Sequence, residues 1–168
     1  MSNSVVLSHT RPLESFNVLF FGNSEHNIDP KLRLAIPAKY RNQWSPARDG
    51  DAFMSVAWPT GQIRLFTEAR FKELYEAAIN TLTPTTKQML SDAALLGMAE
   101  RVEMDSAGRI ALPKKQIERA KLGQEVTVVG MGKRLEVWDR ARWNEVEDAA
   151  FAGAQTMVDD AAAGKSGQ

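Results

Sequence analysis

The chain contains no cysteine, and its two histidines are His9 and His26. Without cysteine there is no disulfide, no thiol nucleophile and no thiolate metal ligand. Two histidines leave little for histidine-based catalysis or for a zinc site, which needs three or four converging ligands. We therefore expect no catalytic residue, no metal and no cofactor, and predict that the protein is not an enzyme.

The sequence also lacks a long apolar run. No stretch approaches the roughly 18 to 20 consecutive apolar residues of a membrane span. Residues 1–11 lack the apolar core of a secretory signal. We expect a globular, cytoplasmic chain without a membrane partner. Its 168 residues, 43% hydrophobic and 25% charged, are enough for one ordinary core or for two small halves that share one.

The net charge of zero hides an uneven distribution of charge. Residues 22–48 carry five basic and two acidic side chains, and residues 97–122 carry six basic and four acidic ones. From Asp139 onward, six acidic residues outnumber three basic ones. Two mildly basic regions offset by an acidic tail are compatible with a nucleic-acid partner, although ordinary surface charge gives the same counts.

An internal repeat organises the chain into two related halves. Residues 29–39 match residues 105–115, and each residue lies 76 positions before its counterpart, as Asp29 does before Asp105. Asp, Arg, Ala, Pro and Lys recur in register. Residues 63–67 match residues 135–139 in pattern, at a spacing of 72 positions.

Each half shows the same order of predicted elements. A strand leads to the acidic residue, a tight turn and a second strand follow, and Pro37 or Pro113 then ends that strand and begins a short helix. Two more strands around a turn with glycine come next. The predicted strands are residues 26–28, 33–36, 52–57 and 63–66, and then residues 101–104, 109–112, 125–129 and 134–138.

Three longer helices are predicted. Thr67 caps a helix over residues 68–80, Asp139 caps one from residue 140 to about residue 151, and a connecting helix begins at Thr83. Residues 1–15 and 152–168 lack periodicity and are expected to be mobile. The apolar side of the connecting helix and four aromatic residues are expected to leave apolar surface for self-association. The four aromatic residues are Phe66, Phe71, Trp138 and Trp143.

An acidic residue lies four positions before an arginine in each repeat, as Asp29 does before Arg33 and Asp105 before Arg109. One interpretation is a hairpin turn, in which the carboxylate caps its own backbone, Gly108 is left-handed and the arginine faces water. The other is a recognition device, in which the carboxylate orients the guanidinium fork toward guanine or phosphate. Repetition of the arginine favours the second interpretation, because a turn needs no arginine.

These residues resemble the MraZ family of bacterial transcriptional regulators over about residues 17–147. The resemblance is carried by residues 105–113, 126–130, 135–139 and 142–143 in the second half, and by residues 25–29 and 33–41 in the first. It implies an α+β fold of two tandem swapped-hairpin, β-barrel-like halves of the AbrB and SpoVT type, with connecting and C-terminal helices. The expected segments are an extension (1–15), a first half (16–66), connecting helices (67–98), a second half (99–139), and a C-terminal helix with an acidic tail (140–168).

The resemblance also implies a function. It implies a nucleoid-associated, homo-oligomeric ring that binds G-rich direct repeats in double-stranded promoter DNA, and that acts as an autoregulating repressor of a division and cell-wall gene cluster. No small-molecule substrate is expected. The implied DNA-binding residues are Asp29, Lys31, Arg33, Asp105 and Arg109.

One residue departs from the family pattern, which has glycine where this chain has Leu32. Leucine rarely adopts a positive φ. The first turn therefore either takes another shape or carries strain of about 1 to 3 kcal/mol.

Two other function classes compete with a DNA-binding regulator. An antitoxin-like protein would share the swapped-hairpin DNA-binding fold and neutralise a toxin partner, but the alanine-rich tail after Phe151 offers few large anchors for one. An enzyme would need acid and base groups such as Glu100 with Glu103 or Asp159 with Asp160, which solvated surface charge explains more simply.

Overall fold

The computed structural model describes residues 18–78 and 85–165. The strands are β1 (Asn23–Asn27), β2 (Arg33–Ala35), β3 (Ala52–Trp58), β4 (Gln62–Thr67), β5 (Glu100–Glu103), β6 (Arg109–Ala111), β7 (Glu125–Gly130) and β8 (Arg134–Asp139). The helices are α1 (Ala38–Arg41), α2 (Pro46–Asp49), α3 (Glu68–Ala78), α4 (Thr86–Leu95), α5 (Lys114–Ala120) and α6 (Arg140–Lys165).

The two repeats exchange strands. Six strands form one antiparallel sheet in the order β1-β7-β8-β4-β3-β5, and β2 pairs with β6 in a separate two-stranded ribbon. The first strand of each repeat pairs with the third strand of the other, since β1 lies against β7 and β5 lies against β3. This exchange confirms the predicted α+β fold of swapped hairpins. The large sheet is open, and the described residues form no closed barrel.

A local two-fold axis relates the repeats and passes through both sheets. In the ribbon, Leu34 lies opposite Ile110, which is its own counterpart 76 positions later. In the large sheet, Arg64 lies opposite Glu136, its counterpart 72 positions later. A residue that pairs with its own counterpart marks the axis, so the ribbon and the β4–β8 pair both lie on it.

One hydrophobic core joins the ribbon to the large sheet. Leu34 and Ile110 of the ribbon are fully buried, and they belong to the same cluster as the alternate apolar residues of β4 and β8. Side chains alternate across a strand, so the core residues point to one face of β4 and β8 and Arg64 and Glu136 to the other. The β4 and β8 core residues are Ile63, Leu65, Leu135 and Val137.

The helix starts follow local capping chemistry. The Thr67 hydroxyl accepts a 3.2 Å hydrogen bond from the backbone N–H of Arg70 and so caps α3 as predicted. The connecting helix α4 is capped by Thr85, which forms a reciprocal capping box with Gln88. The predicted start at Thr83 lies outside the described residues. Helix α2 was not predicted; Pro46 occupies its first turn.

Helix α6 is longer than the sequence predicted. The prediction that it ends near residue 151 is wrong, because the helix continues to Lys165. Periodicity marks a buried face, and residues 147–164 are all exposed, so that signal is missing. Their many alanines have a high intrinsic helix propensity, which needs no buried face.

The exposed apolar surface differs from the predicted one. Phe66 and Trp138 are each only 6% exposed. Each packs on the neighbouring predicted aromatic, with ring centroids 6.3 Å and 6.0 Å apart. The prediction that the four aromatics leave apolar surface is therefore wrong for Phe66 and Trp138, whereas Phe71 and Trp143 are half-buried. Large exposed apolar side chains lie on α4, as predicted for the connecting helix, and also on the later part of α6, where none was predicted; they include Met89, Leu90, Phe151, Met157 and Val158. None of the helices in the described ranges is long and apolar enough to span a membrane.

Candidate nucleic-acid interface

The first turn, between β1 and β2, is closed by the carboxylate of Asp29. Its Oδ1 accepts hydrogen bonds from the backbone N–H groups of Lys31 and Arg33, each at 2.9 Å. Its Oδ2 accepts a 2.7 Å bond from Arg33 Nε. One oxygen therefore shapes the backbone while the other orients the guanidinium.

The second turn, between β5 and β6, repeats this network. Asp105 Oδ1 accepts hydrogen bonds from the backbone N–H groups of Ala107 and Arg109, each at 2.9 Å. Asp105 Oδ2 accepts a 2.9 Å bond from Arg109 Nε. Both carboxylates thus serve two purposes, and the hairpin and recognition interpretations describe the same geometry.

Leu32 takes the conformation that its position requires. Its φ is 61°, close to the 75° of Gly108 at the equivalent place, so the first turn keeps its shape and carries the strain. A left-handed conformation costs a residue other than glycine about 1 to 2 kcal/mol. The half-buried Leu32 side chain lines an apolar groove of about 350 Å³ together with Ile117 and Leu122. Its partial burial there offsets part of that cost.

Arg41 is a neighbour of the second turn that sequence reasoning missed. Its Nε donates a 3.0 Å bond to the carbonyl of Ile36, and the backbone N–H of Ile36 donates a 2.9 Å bond to the carbonyl of Gly108. A Cβ on Gly108 would lie 2.6 Å from Arg41 Nη1. The guanidinium of Arg41 therefore occupies the space that a side chain at position 108 would need.

The repeat contained a signal for this neighbour. Arg41 and Ile117 are counterparts at the spacing of 76 positions, as are Leu32 and Gly108. Because the repeats are exchanged, each turn faces the helix of the other repeat. Leucine therefore lies near isoleucine, and glycine lies near arginine.

The five predicted site residues are brought to the ends of one ribbon. Arg33 lies opposite Ala111, and Ala35 lies opposite Arg109. Side chains alternate across a strand, so these four lie on one face, and Leu34 and Ile110 fill the core on the other. The side chains of Arg33 and Arg109 are 31% and 36% exposed, and Lys31 is exposed in the first turn.

Both site carboxylates are held in the charged state. The backbone N–H of Arg33, and next its guanidinium, keep the pKa of the Asp29 carboxyl below its ordinary value of 3.8. Arg109 lowers the pKa of Asp105 in the same two ways. Each arginine is therefore oriented by a full negative charge at neutral pH.

Comparison with known proteins identifies the family. The family model of the MraZ protein, which its description calls antitoxin-like, matches residues 95–162. The transcriptional regulator MraZ of Pseudoalteromonas translucida is 32% identical over 129 residues, covering 76% of this chain and 84% of that protein. That of Mycoplasmoides gallisepticum is 31% identical over 146 residues, covering 84% and 99%. That of Mesoplasma florum is 28% identical over 131 residues, covering 78% and 87%.

These similarities extend over most of each chain. The relatives are named as transcriptional regulators and not as enzymes, which confirms the prediction that this chain is not an enzyme. The resemblance noted in the sequence is confirmed as well: the chain belongs to the MraZ family of transcriptional regulators.

Proposed function

We propose that this regulator binds double-stranded DNA sequence-specifically through the outer face of its ribbon. Asp29, Lys31, Arg33, Asp105 and Arg109 are the binding residues. The observation that carries the proposal is the repeated network, in which a charged carboxylate orients each partly exposed arginine on one face. A turn with a purely structural role would not need an oriented arginine in each of the two repeats.

The chemistry of the ribbon suits a DNA groove. The major groove admits a two-stranded β-ribbon, and an arginine fork matches guanine O6 and N7 or a phosphate. Arg33 and Arg109 are diagonal neighbours in the ladder, a relation that places Cα atoms about 7 to 8 Å apart. Since bases on one strand rise about 3.4 Å each, this spacing corresponds to about two base-pair steps.

Each turn brings a further cation. Lys31 is exposed beside Arg33, and Arg41 lies against the second turn that carries Arg109. Such cations suit the phosphates that flank a base contact, and they fix the ribbon's register on the duplex. Each end of the ribbon therefore combines an oriented arginine with a second positive charge.

The proposed biological role follows from the family. The chain acts at the nucleoid in the cytoplasm, as an autoregulating repressor of a division and cell-wall gene cluster, on G-rich direct repeats. One ribbon makes few contacts and binds weakly, whereas a homo-oligomeric ring that engages adjacent repeats gains affinity through effective concentration. Changing the spacing between repeats should therefore weaken binding more than one mismatched base does.

Fluorescence anisotropy tests the proposal with DNA from the chain's own upstream region and with the same DNA scrambled, at two salt concentrations. We expect tighter binding to the native sequence and a fall in affinity with salt. Arg109→Ala should weaken binding, whereas Lys72→Ala, which removes an exposed cation on α3, is the matched control. Equal binding of wild type and Arg109→Ala would place the DNA site elsewhere, among Lys114, Lys115 and Arg119.

An antitoxin-like role is the second candidate, because the matching family model is itself described as antitoxin-like. In that role the ribbon still binds DNA, and another surface neutralises a toxin partner. Co-expression with the products of neighbouring genes tests it. Relief of growth arrest by this chain would support the role, and the absence of any toxic neighbour would remove it.

A further inference from the structure

A small pocket lies beside the two-fold axis, away from the ribbon. It has a volume of about 190 Å³ and lies between β4, the β7–β8 turn and helices α3 and α4. Trp58, Phe66, Leu74 and Leu95 form its apolar walls. Small-molecule pockets commonly measure about 300 to 1,000 Å³, so this one suits one or two side chains better than a metabolite.

The pocket, here called the cationic pocket, carries an excess of positive charge. Four basic residues line it, namely Arg64, Arg70, Lys133 and Arg134. One carboxylate, the buried Glu136, lies 3.1 Å from Arg64 Nε and 2.8 Å from Arg134 Nε. A second, Glu73, lies 2.7 Å from Arg70 Nη1 at the rim. Desolvation by burial and then the charge of Arg134 lower the pKa of Arg64, as expected where cations crowd together.

The equivalent place in the other repeat is filled. Arg142, the counterpart of Arg70 at 72 positions, donates hydrogen bonds to the carbonyls of Gly61 and Ala120. Gly61 is the counterpart of Lys133. The fold can therefore close this space with its own arginine, and it leaves the space open only where the cations gather.

The far part of α6 has the opposite character. Residues 147–164 are all exposed, and Phe151, Met157 and Val158 are 74%, 75% and 67% exposed. Met157 and Asp160 lie three positions apart and so share one face of α6, which presents an apolar and an acidic side chain together.

We propose that Met157 and Asp160 of one copy of the chain insert into the cationic pocket of a second copy. The apolar side chain meets the apolar walls, and the carboxylate neutralises part of the excess positive charge. Two different surfaces meet in this contact, so it is heterologous, and repetition of it closes a ring or extends a filament. The inference rests on the homo-oligomer in the proposed function and names the surfaces that build it.

Light scattering after size-exclusion chromatography tests this contact with two full-length variants. The pocket variant is Lys133→Glu with Leu95→Glu, and the helix variant is Met157→Lys with Asp160→Lys. Each should fall from the wild-type mass to that of one chain, 18.6 kDa. Mixed one to one, they should form dimers of twice that mass and nothing larger, because one intact pocket meets one intact helix.

Asp159→Lys is the matched control, since Asp159 lies on the opposite side of α6 from Met157 and its change should leave the mass of the assembly unaltered. Formation of the mixed dimer also shows that both variants are folded. A wild-type chain that is monomeric at micromolar concentration overturns this contact and the proposed ring together. Wild-type assembly that survives in the helix variant, or a mixture that yields no dimer, overturns this contact alone.

Discussion

The two turns of the ribbon share one hydrogen-bond network but differ in their neighbours. Asp29 and Asp105 make the same three bonds, within 0.2 Å of each other in length. The apex residue is Leu32 in one turn and Gly108 in the other, and both have a positive φ. The difference lies across the exchange, where the first turn faces Ile117 and the second faces Arg41.

This comparison shows which parts of the repeat act as units. The carboxylate and its arginine form a unit within each turn, because their bonds are local. The apex residue and the facing helix residue form a second unit that joins the two repeats. The effect of a substitution at the apex should therefore depend on which residue faces it on the helix of the other repeat.

Removal of an arginine should have the largest effect. Because the two networks match, Arg33→Ala and Arg109→Ala should weaken DNA binding equally, by about 1 to 3 kcal/mol for each base contact and by more in an oligomer. Thermal stability should change by no more than about 0.5 kcal/mol, since exposed side chains contribute little to folding. Anisotropy and thermal unfolding measure the two quantities. A loss confined to one variant would show that the turns do not bind DNA equivalently.

Gly108→Leu should have the next largest effect, on stability. The substitution forces leucine into the left-handed region at a cost of about 1 to 2 kcal/mol, and it displaces Arg41. Adding Arg41→Ile should recover part of the loss, because the pair then copies the apolar contact of the first turn. Urea unfolding compares the free energies of unfolding of the single and double variants. A double variant no more stable than the single one would show that the apex residue and the facing helix residue do not act as a unit.

Acid should weaken both turns together. The pKa of each carboxyl is lowered in the folded chain, so the stabilisation is fully present above the ordinary value of 3.8 and is lost as the pH falls through the lowered one. We expect the temperature midpoint of unfolding to decrease as the pH is lowered below about 4. The decrease with pH should be less steep in Asp29→Asn and in Asp105→Asn than in the wild type. If one of these variants shows the same dependence of the midpoint on pH as the wild type, the carboxylate that it lacks contributes little to stability.

Asp105→Asn also bears on DNA binding at neutral pH. The amide keeps an oxygen that can accept the backbone bonds but loses the charge that orients Arg109, so affinity should fall less than in Arg109→Ala. Asp29→Asn is the matched variant in the first turn. Losses as large as those of the arginine variants would indicate that the carboxylates contribute more than orientation.

Leu32→Gly should have the smallest effect. Release of about 1 to 2 kcal/mol of backbone strain is opposed by the loss of a half-buried leucine, so the free energy of unfolding should change by less than about 1 kcal/mol. DNA affinity should stay at the wild-type value, because the bonds from Asp29 to Arg33 do not involve the Leu32 side chain. Chemical denaturation and anisotropy check these expectations, and a large loss of affinity would make Leu32 itself a contact residue.

Much of the fold could be predicted because the repeat and the strand alternation are local signals. Every predicted strand is found, within three residues at each end. The partners of β1 and β5 were accessible only through the family resemblance, since no local pattern records an exchange. The neighbour of Gly108 was missed for the same reason: Arg41 lies 67 positions earlier and meets the turn only after the exchange.

The exchange of strands also affects how the chain folds during synthesis. Asn27 pairs with Glu125, so β1 has no partner until about a hundred further residues have been made. At about 5 to 20 residues per second, β1 waits on the order of 5 to 20 s for β7, and the edge of β3 waits a shorter time for β5, which is made earlier. An unpaired strand edge is a template for aggregation, so we expect the nascent chain to be aggregation-prone until the second repeat is made, and a chain truncated between the repeats cannot complete its sheet.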